Sequence, residues 1–493
     1  MPFTDSIFLL VFLPAVLSLY FVTESIFGQA TKANKRPGVG NAIIALSSVV
    51  FLAVFDSLYA SVLVASTAFL IGIAWVVNRA RLFEDTRTQS TISAVPELGF
   101  AATLTGMVLL YSTYQLATPT LVTQTAWTTA LPDYRFSVPA LFMPLGLSIF
   151  VCHAVSLIVD VYRRRGVAPL KPTHVAMYVL GFPFLIAGPI IRYRDISQQL
   201  NNRQLSMASF AYGVRRFSIG FCKVALIAQT LATPADIAFS NIDSLTFVPA
   251  WTGLLCFSLQ IYFDLSGYAD MALGIGRMLG FRLPENFNSP YAADSFHEFW
   301  RRWNMSLTNW CNTYLGLSLR DTPKTATSTP ITGTVVLLFV IICLWHGPSW
   351  GVFLWGAVHA VFIVLERTRW GLTLTRWPAP LRHVYLLVLA NAAWVFFRAD
   401  TLNDALRFFQ ALGGFGATGL NTVSLPLFAS TWVALIVGLI STVPMLPTIG
   451  RWSVTVDALA TALQMIVTTA AIFVWVRVFR QKHKKSSLDQ SDS

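Results

Sequence analysis

Charge is scarce in this chain. Only 12% of its 493 residues are Asp, Glu, Lys or Arg, about half the share of a soluble domain. Against 55% hydrophobic residues and a mean hydropathy of +0.60, a soluble fold would leave large apolar patches in water, which excludes that class. Cysteine is scarce too. Cys152, Cys222, Cys256, Cys311 and Cys343 form no C-x-x-C pair and lie mostly in apolar surroundings. That argues against a disulfide framework or a zinc site and leaves them as small buried hydrophobes. No Walker-type or G-x-G-x-x-G phosphate loop is present; GIGRMLG at 274–280 fails the spacing and follows no strand. The first apolar stretch, SIFLLVFLPAVLSLYF, has no Lys or Arg before it. It lacks the charged start of a secretory signal and reads as a retained first membrane helix with its N-terminus outside.

Apolar runs are what the sequence has in excess. NAIIALSSVVFLAVF, SVLVASTAFLIGIAWVV, ELGFAATLTGMVLLYSTYQLA and VPALFMPLGLSIFVCHAVSLIV follow the first run. Further apolar spans lie at 331–346, 350–365, 384–397, 428–447 and 458–479. The expected class is an all-α polytopic membrane protein with roughly 9–11 spanning helices. Basic residues gather in alternate loops: Lys32, Lys35 and Arg36, then Arg79, Arg81 and Arg87, then Arg163–Arg165. The positive-inside rule puts these loops in the cytoplasm and accounts for the net charge of +12 without invoking nucleic acid. The expected organisation is one transmembrane domain over 1–480, with N-terminal helices in 1–165, a catalytic core in 174–410 and C-terminal helices in 428–480. A basic and polar cytoplasmic tail, 481–493, follows.

The middle is irregular. GFPFLIAGPIIRYRD, 181–195, carries two prolines and two glycines in an apolar frame. Irregular backbone at membrane depth survives only where protein shields it or a wet cavity adjoins it, so a broken or re-entrant segment is expected. FHEFWRRWNMSLTNW follows at 296–310. Read as one helix over 296–314, it puts Phe296, Phe299, Trp300, Trp303, Leu307, Trp310 and Tyr314 on one face. His297, Arg301, Asn304, Thr308 and Cys311 form a strip on the other. The helix either lies at the membrane interface with its aromatics in lipid or roofs a polar cavity inside the bundle.

Two histidines, His346 and His359, sit in the apolar stretch 334–366. Ionisable groups in spans are costly and are functional candidates by default. Gly347 and Pro348 break the helix just after His346, which makes room for substrate. His153 has no polar neighbour in sequence and reads as structural. His174, His383 and His483 read as loop or interface residues. FDLSGYAD offers Asp264 and Asp270, whose spacing takes them off one helical face and suits a tunnel wall better than a carboxylate pair.

At these residues the sequence resembles the membrane-bound O-acyltransferase (MBOAT) superfamily, in its bacterial branch resembling the alginate O-acetyltransferase membrane subunit. The likeness runs from about residue 5 to about residue 410. It is carried by MPLGLSIFVCHAVSLIVDVYR, FPFLIAGPIIRYRDI, RRFSIGFCKVALIA, QIYFDLSGYADMALGIGRMLGFRLPENFNSPY, FWRRWNMSLTNW, LWHGPSWGVFLWGAVHA and WVFFRA. The resemblance implies a funnel-like helical bundle around a central tunnel, with His346 as the catalytic histidine. The branch usually carries histidine where this chain has Asn304, and Asp where it has Asn312.

The implied chemistry is O-acyl transfer, with acetyl-CoA or an acyl-carrier thioester as the cytoplasmic donor. His346 is the expected general base, and Asn304 an amide donor to the oxyanion or a group that orients the acceptor. Trp300, Trp303, Trp345, Arg301, His297 and His359 are expected to line the tunnel or meet the donor. Arg192, Arg194, Arg215, Arg216 and Arg302 are further candidates for its phosphates. No metal is expected. The expected setting is the bacterial inner membrane. The acceptor is a cell-envelope or secreted polysaccharide, reached through a periplasmic acetyltransferase partner. Two alternatives stand beside this reading: carrier-dependent D-alanyl transfer to a cell-wall polymer, and a transporter, although the paired broken helices of many transporters are not evident.

Overall fold

In a computed structural model of the chain, residues 3–27, 37–55, 57–84, 106, 146–163, 170–185, 188–203, 205–317, 331–346, 349–417 and 422–442 are described. The expected span at 97–117, apart from residue 106, that at 458–479, the tail 481–493 and the Gly347–Pro348 pair lie outside these residues. Among the described residues there is no strand. A π-helical turn, Phe8–Phe12, leads into α1 (Leu13–Phe27), followed by α2 (Pro37–Phe55), α3 (Ser57–Glu84) and α4 (Leu147–Tyr162). The irregular stretch resolves into α5 (Pro172–Leu180), α6 (Phe182–Leu185) and α7 (Tyr193–Asn201). Next come α8 (Met207–Cys222), a π-helical segment Lys223–Ala228, α9 (Gln229–Ser240) and α10 (Phe247–Met278). The remainder is α11 (Phe296–Arg302), α12 (Met305–Leu315), α13 (Ile331–His346), α14 (Trp350–Leu365), α15 (Arg369–Thr375), α16 (Ala379–Arg398), α17 (Leu402–Leu412) and α18 (Ala429–Thr442).

Among the described residues, four helical stretches are long and apolar enough to cross a membrane: Phe8–Ile26, Tyr59–Arg79, Met207–Ser240 and Ala379–Arg398. Helices α14 and α15 make a fifth candidate, bent by 80°. Shorter apolar helices cover Gly38–Val54, Leu147–Tyr162, Gly333–His346 and Ala429–Thr442. The protein is thus an all-α polytopic membrane protein. The break expected within 181–195 is present: α6 is a single turn and residues 188–192 run without helix.

Helix α10 organises the bundle. Its 32 residues are about 48 Å long at 1.5 Å per residue. Its first half belongs to one hydrophobic cluster, with Leu254, Phe257 and Phe263, and its second half to another, with Met271, Ile275 and Met278. Against it lies α8, at backbone contact. A Cβ on Gly220 would sit 2.5 Å from the Gly267 carbonyl oxygen, and one on Gly213 would sit 2.6 Å from that of Gly274. Each helix presents two glycines seven residues apart, and they pair in antiparallel order. Small residues let spanning helices approach this closely, where packing rather than the hydrophobic effect holds them together.

Candidate active site

The expected break after His346 separates α13 from α14, which fold back on one another. Cys343 Sγ contacts the Val352 carbonyl oxygen at 3.3 Å, and the rings of Phe339 and His359 stack at 6.1 Å. His346 is the last residue of α13. The residue is exposed, yet its ring is flanked edge-on by Trp355 at 5.8 Å and Phe397 at 5.4 Å. No hydrogen bond holds it among the described residues. The result is an imidazole with both nitrogens uncommitted, at a helix end, against an aromatic wall.

His359 differs. It is wholly buried among Trp300, Trp355, Phe296 and Phe339, with ring centroids 4.9–6.1 Å away. Its Nδ1 lies 2.8 Å from the Trp355 carbonyl oxygen. That contact puts the proton on Nδ1 and leaves Nε2 as an acceptor, and Nε2 has no partner. The indole nitrogens of Trp300, Trp355 and Trp394 in the same cluster are also buried without partners. His153 is buried too; its Nε2 accepts from the Ile191 amide at 3.2 Å and its ring stacks on Tyr178. His174 is buried, whereas Nδ1 of the half-buried His383 lies 2.7 Å from the Ala293 carbonyl.

The single helix expected over 296–314 does not form. It is two helices, α11 and α12, broken at Trp303–Asn304, and Asn304 takes a left-handed conformation with φ +43°. The cause lies outside the segment. Loop 286–288 bonds into the break: the Asn288 amide donates to the Arg302 carbonyl at 3.0 Å, and the Met305 amide to the Asn286 carbonyl at 2.9 Å. Asn286 Oδ1 also accepts from the Ser306 amide at 3.1 Å. The aromatic face expected to lie in lipid, or to leave the polar strip inward, is instead packed in protein. Phe296, Phe299, Trp300, Trp303, Leu307 and Trp310 are all buried.

The predicted site residues fall into separate groups. Trp303 packs against Phe299, Phe287 and Trp394. Trp394 stacks on Trp355, which flanks His346. No hydrogen bond links Asn304 to His346 among the described residues. Trp300 reaches His346 only through Trp355. Trp345 packs half-buried against the same core. Arg301 points outward and pairs with Glu298 at 2.8 Å, and Arg302 pairs with the same carboxylate. The His297 amide, with that of Phe296, donates to the Glu366 carboxylate, so that carboxylate ties α11 to the end of α14. Arg192 is held by Asp195 and Thr313.

Residues not singled out from sequence complete the picture. Trp355, Trp394 and Phe397 form the wall beside His346. On the opposite side of Trp303, Arg216, Lys223, Tyr262, Ser266, Asp270 and Asn286 help line a polar cavity of 190 Å³. The readable signal was Lys223, a lone cation within the apolar run FCKVALIA, since intramembrane charges are rarely idle. Among the described residues no group of His, Cys, Asp and Glu is placed to hold a metal ion.

Comparison with known proteins agrees with a helical membrane enzyme. The sequence profile of MBOAT, the membrane-bound O-acyltransferase family, matches residues 107–402. The probable alginate O-acetylase AlgI of Azotobacter vinelandii is 35% identical over 439 residues, 88% of this chain and 82% of its own. The peptidoglycan O-acetyltransferase of Helicobacter pylori is 30% identical over 459 residues, 86% of this chain and 81% of its own. The teichoic acid D-alanyltransferase of Bacillus subtilis is 29% identical over 233 residues, 44% of this chain and 58% of its own. With a profile match across more than half its length and relatives aligned over most of it, the chain belongs to the membrane-bound O-acyltransferase family and is an O-acyltransferase.

Proposed function

We propose that the protein takes an acetyl group from a cytoplasmic thioester and passes it across the inner membrane toward O-acetylation of an envelope or secreted polysaccharide, with His346 as general base. The observation that carries this is the state of the His346 ring. It is open and uncommitted at the end of α13, whereas His153, His174 and His359 are buried. In the proposed step the neutral imidazole accepts the proton of the acceptor hydroxyl as its oxygen bonds to the thioester carbonyl. The tetrahedral adduct then expels the thiolate, which takes the proton back from the imidazolium. Base assistance of this kind contributes about 10²–10⁴-fold. Trp355, Trp394 and Phe397 shield the thioester from water, whose attack would waste it. The acetylases of Azotobacter and Helicobacter, aligned over most of the chain, support acetyl as the acyl group and a polysaccharide as its destination; a periplasmic acetyltransferase partner would complete the route.

The test is thiol release from acetyl-CoA by purified protein with an acceptor present. Release is expected from the wild type and to fall about 10²-fold or more in His346→Ala and His346→Gln. Unchanged release in both variants would remove His346 from the chemistry. The Bacillus relative supports a second reading, D-alanyl transfer from a carrier protein. In that case D-alanyl carrier supports turnover and acetyl-CoA does not. Turnover of neither donor would remove both as the acyl source.

A further inference from the structure

The polar cavity beyond Trp303 is built from four parts of the chain: α8 with its π-helical continuation, α10, loop 285–289 and the end of α18. The glycine seam brings α8 and α10 together, and charges meet beside it. Asp270, nearly buried, takes the Arg216 guanidinium on Oδ1 at 2.6 Å and the Lys223 ammonium on Oδ2 at 2.7 Å. Arg216 also holds Glu285 at 2.6 Å. The two carboxylates differ in kind. Asp270 is fixed on a helix, whereas Glu285 is half exposed on a segment without regular structure. Lys223 begins the π-helical segment, a local irregularity that often marks function, and uses one of its three donors on Asp270.

The rest of the lining is poised for a polar molecule. Ser266 is among the lining residues, and its Oγ is buried with no partner among the described residues. Asn286 spends its oxygen on the Ser306 amide, and its NH₂ group has no acceptor among the described residues. Tyr262 and Phe287 form the far wall and pack on Trp303. From there Trp394 and Trp355 continue the ring column to His346. The segment after α10 is tied to α7 by the Arg282 amide bonding to Gln199 at 2.7 Å, and Arg192, Arg194, Arg203 and Arg277 are nearby in the chain.

We propose that this cavity receives the phosphate and adjoining amide of the donor's phosphopantetheine arm, and that Glu285 is an internal anion which the phosphate displaces from Arg216. The proposal rests on the thioester reading above. It follows from the charge balance: with Glu285 in place the two cations and two carboxylates cancel, and once Glu285 swings out the fixed groups leave one net positive charge. Arg216 and Lys223 then offer charge-assisted donors to a phosphate oxygen, while Asn286 suits an amide. Coenzyme A and an acyl-carrier protein share this arm.

The experiment measures binding to purified protein in lipid nanodiscs by calorimetry, with 4′-phosphopantetheine and phosphate-free pantetheine as probes. The phosphorylated probe is expected to bind about tenfold or more tighter, as one charge-assisted bond allows. Lys223→Met is expected to abolish that advantage, Lys223→Arg to keep it, and Glu285→Gln to strengthen phosphopantetheine binding. Equal affinity for the two probes, an advantage that survives Lys223→Met, or weaker binding in Glu285→Gln would overturn the proposal. Competition by coenzyme A or by a phosphopantetheinylated carrier protein supports it and identifies the source; competition by neither overturns it. Transfer from acetyl-pantetheine, which lacks the phosphate, separates the two claims. His346-dependent turnover without any phosphate preference would sink the cavity proposal alone. Phosphate-dependent binding with no turnover would sink the acyl-transfer reading alone.

Discussion

Asn304 carries two loads that substitution can pull apart. Its backbone is left-handed at φ +43°, a region that costs most L-residues about 1–2 kcal/mol and that Asn and Gly tolerate. Its side chain makes no hydrogen bond among the described residues, which leaves an amide free for chemistry. If the amide is needed for catalysis, Asn304→Gly loses turnover while keeping the fold. If the residue acts only as a hinge between α11 and α12, Asn304→Gly keeps activity. In that case Asn304→Val, β-branched and strained at this φ, loses thermal stability by about 1–2 kcal/mol. Turnover and melting temperature, measured on both variants, distinguish the cases. The hinge reading is the expected outcome, because no hydrogen bond joins Asn304 to His346 among the described residues and its backbone is fixed in the break by loop 286–288. The αL backbone was not legible in the sequence, because it is imposed by hydrogen bonds from Asn286 and Asn288, residues separated from the break in the chain.

At the scale of elements, legibility depends on whether the cause is local. The end of α13 was readable, because Gly347 and Pro348 follow His346 directly and proline cannot continue a helix. The broken segment at 181–195 was readable for the same reason. The α8–α10 seam was not, although both helices carry glycines seven residues apart, because pairing is a property of two segments and periodicity describes one. The seam has a direct test. A methyl group on Gly220 would meet the Gly267 carbonyl oxygen at 2.5 Å and the Met271 amide nitrogen at 2.7 Å. Both are backbone atoms of a packed helix and cannot turn aside. Gly220→Ala is therefore expected to destabilise the protein by about 1–3 kcal/mol, the range for overpacking, and to loosen the Arg216 and Lys223 pairs with Asp270. Gly72, with nothing within 4 Å of its hypothetical Cβ, is the control. Its alanine variant should melt with the wild type in detergent, as followed by size-exclusion chromatography after heating.

Across the whole molecule, α10 sets the two faces. Its C-terminal end joins the segment whose Arg282 amide is bound by Gln199 of α7, the helix that carries Arg194 and is flanked by Arg192 and Arg203. Its N-terminal end follows the Ser244–Leu245 corner, whose Leu245 and Ser244 carbonyls accept from the Ala417 and Val423 amides at 3.0 and 2.9 Å. A helix about 48 Å long is long enough to place those ends on opposite sides of a hydrocarbon core about 30 Å thick. Basic residues favour the cytoplasm, so the Arg282 end is expected inside and the Ser244 corner outside. This sidedness decides whether the cavity at Asp270 opens toward a cytoplasmic donor. All five native cysteines are buried or partly so, and replacing them with Ala or Ser gives a background for single-cysteine labelling. In intact spheroplasts a membrane-impermeant maleimide should label Ser244→Cys and leave Arg282→Cys unmodified until the membrane is permeabilised. The reverse pattern would put the charged cavity on the outer face, where a cytoplasmic thioester could not reach it, and would reassign that cavity to the acceptor.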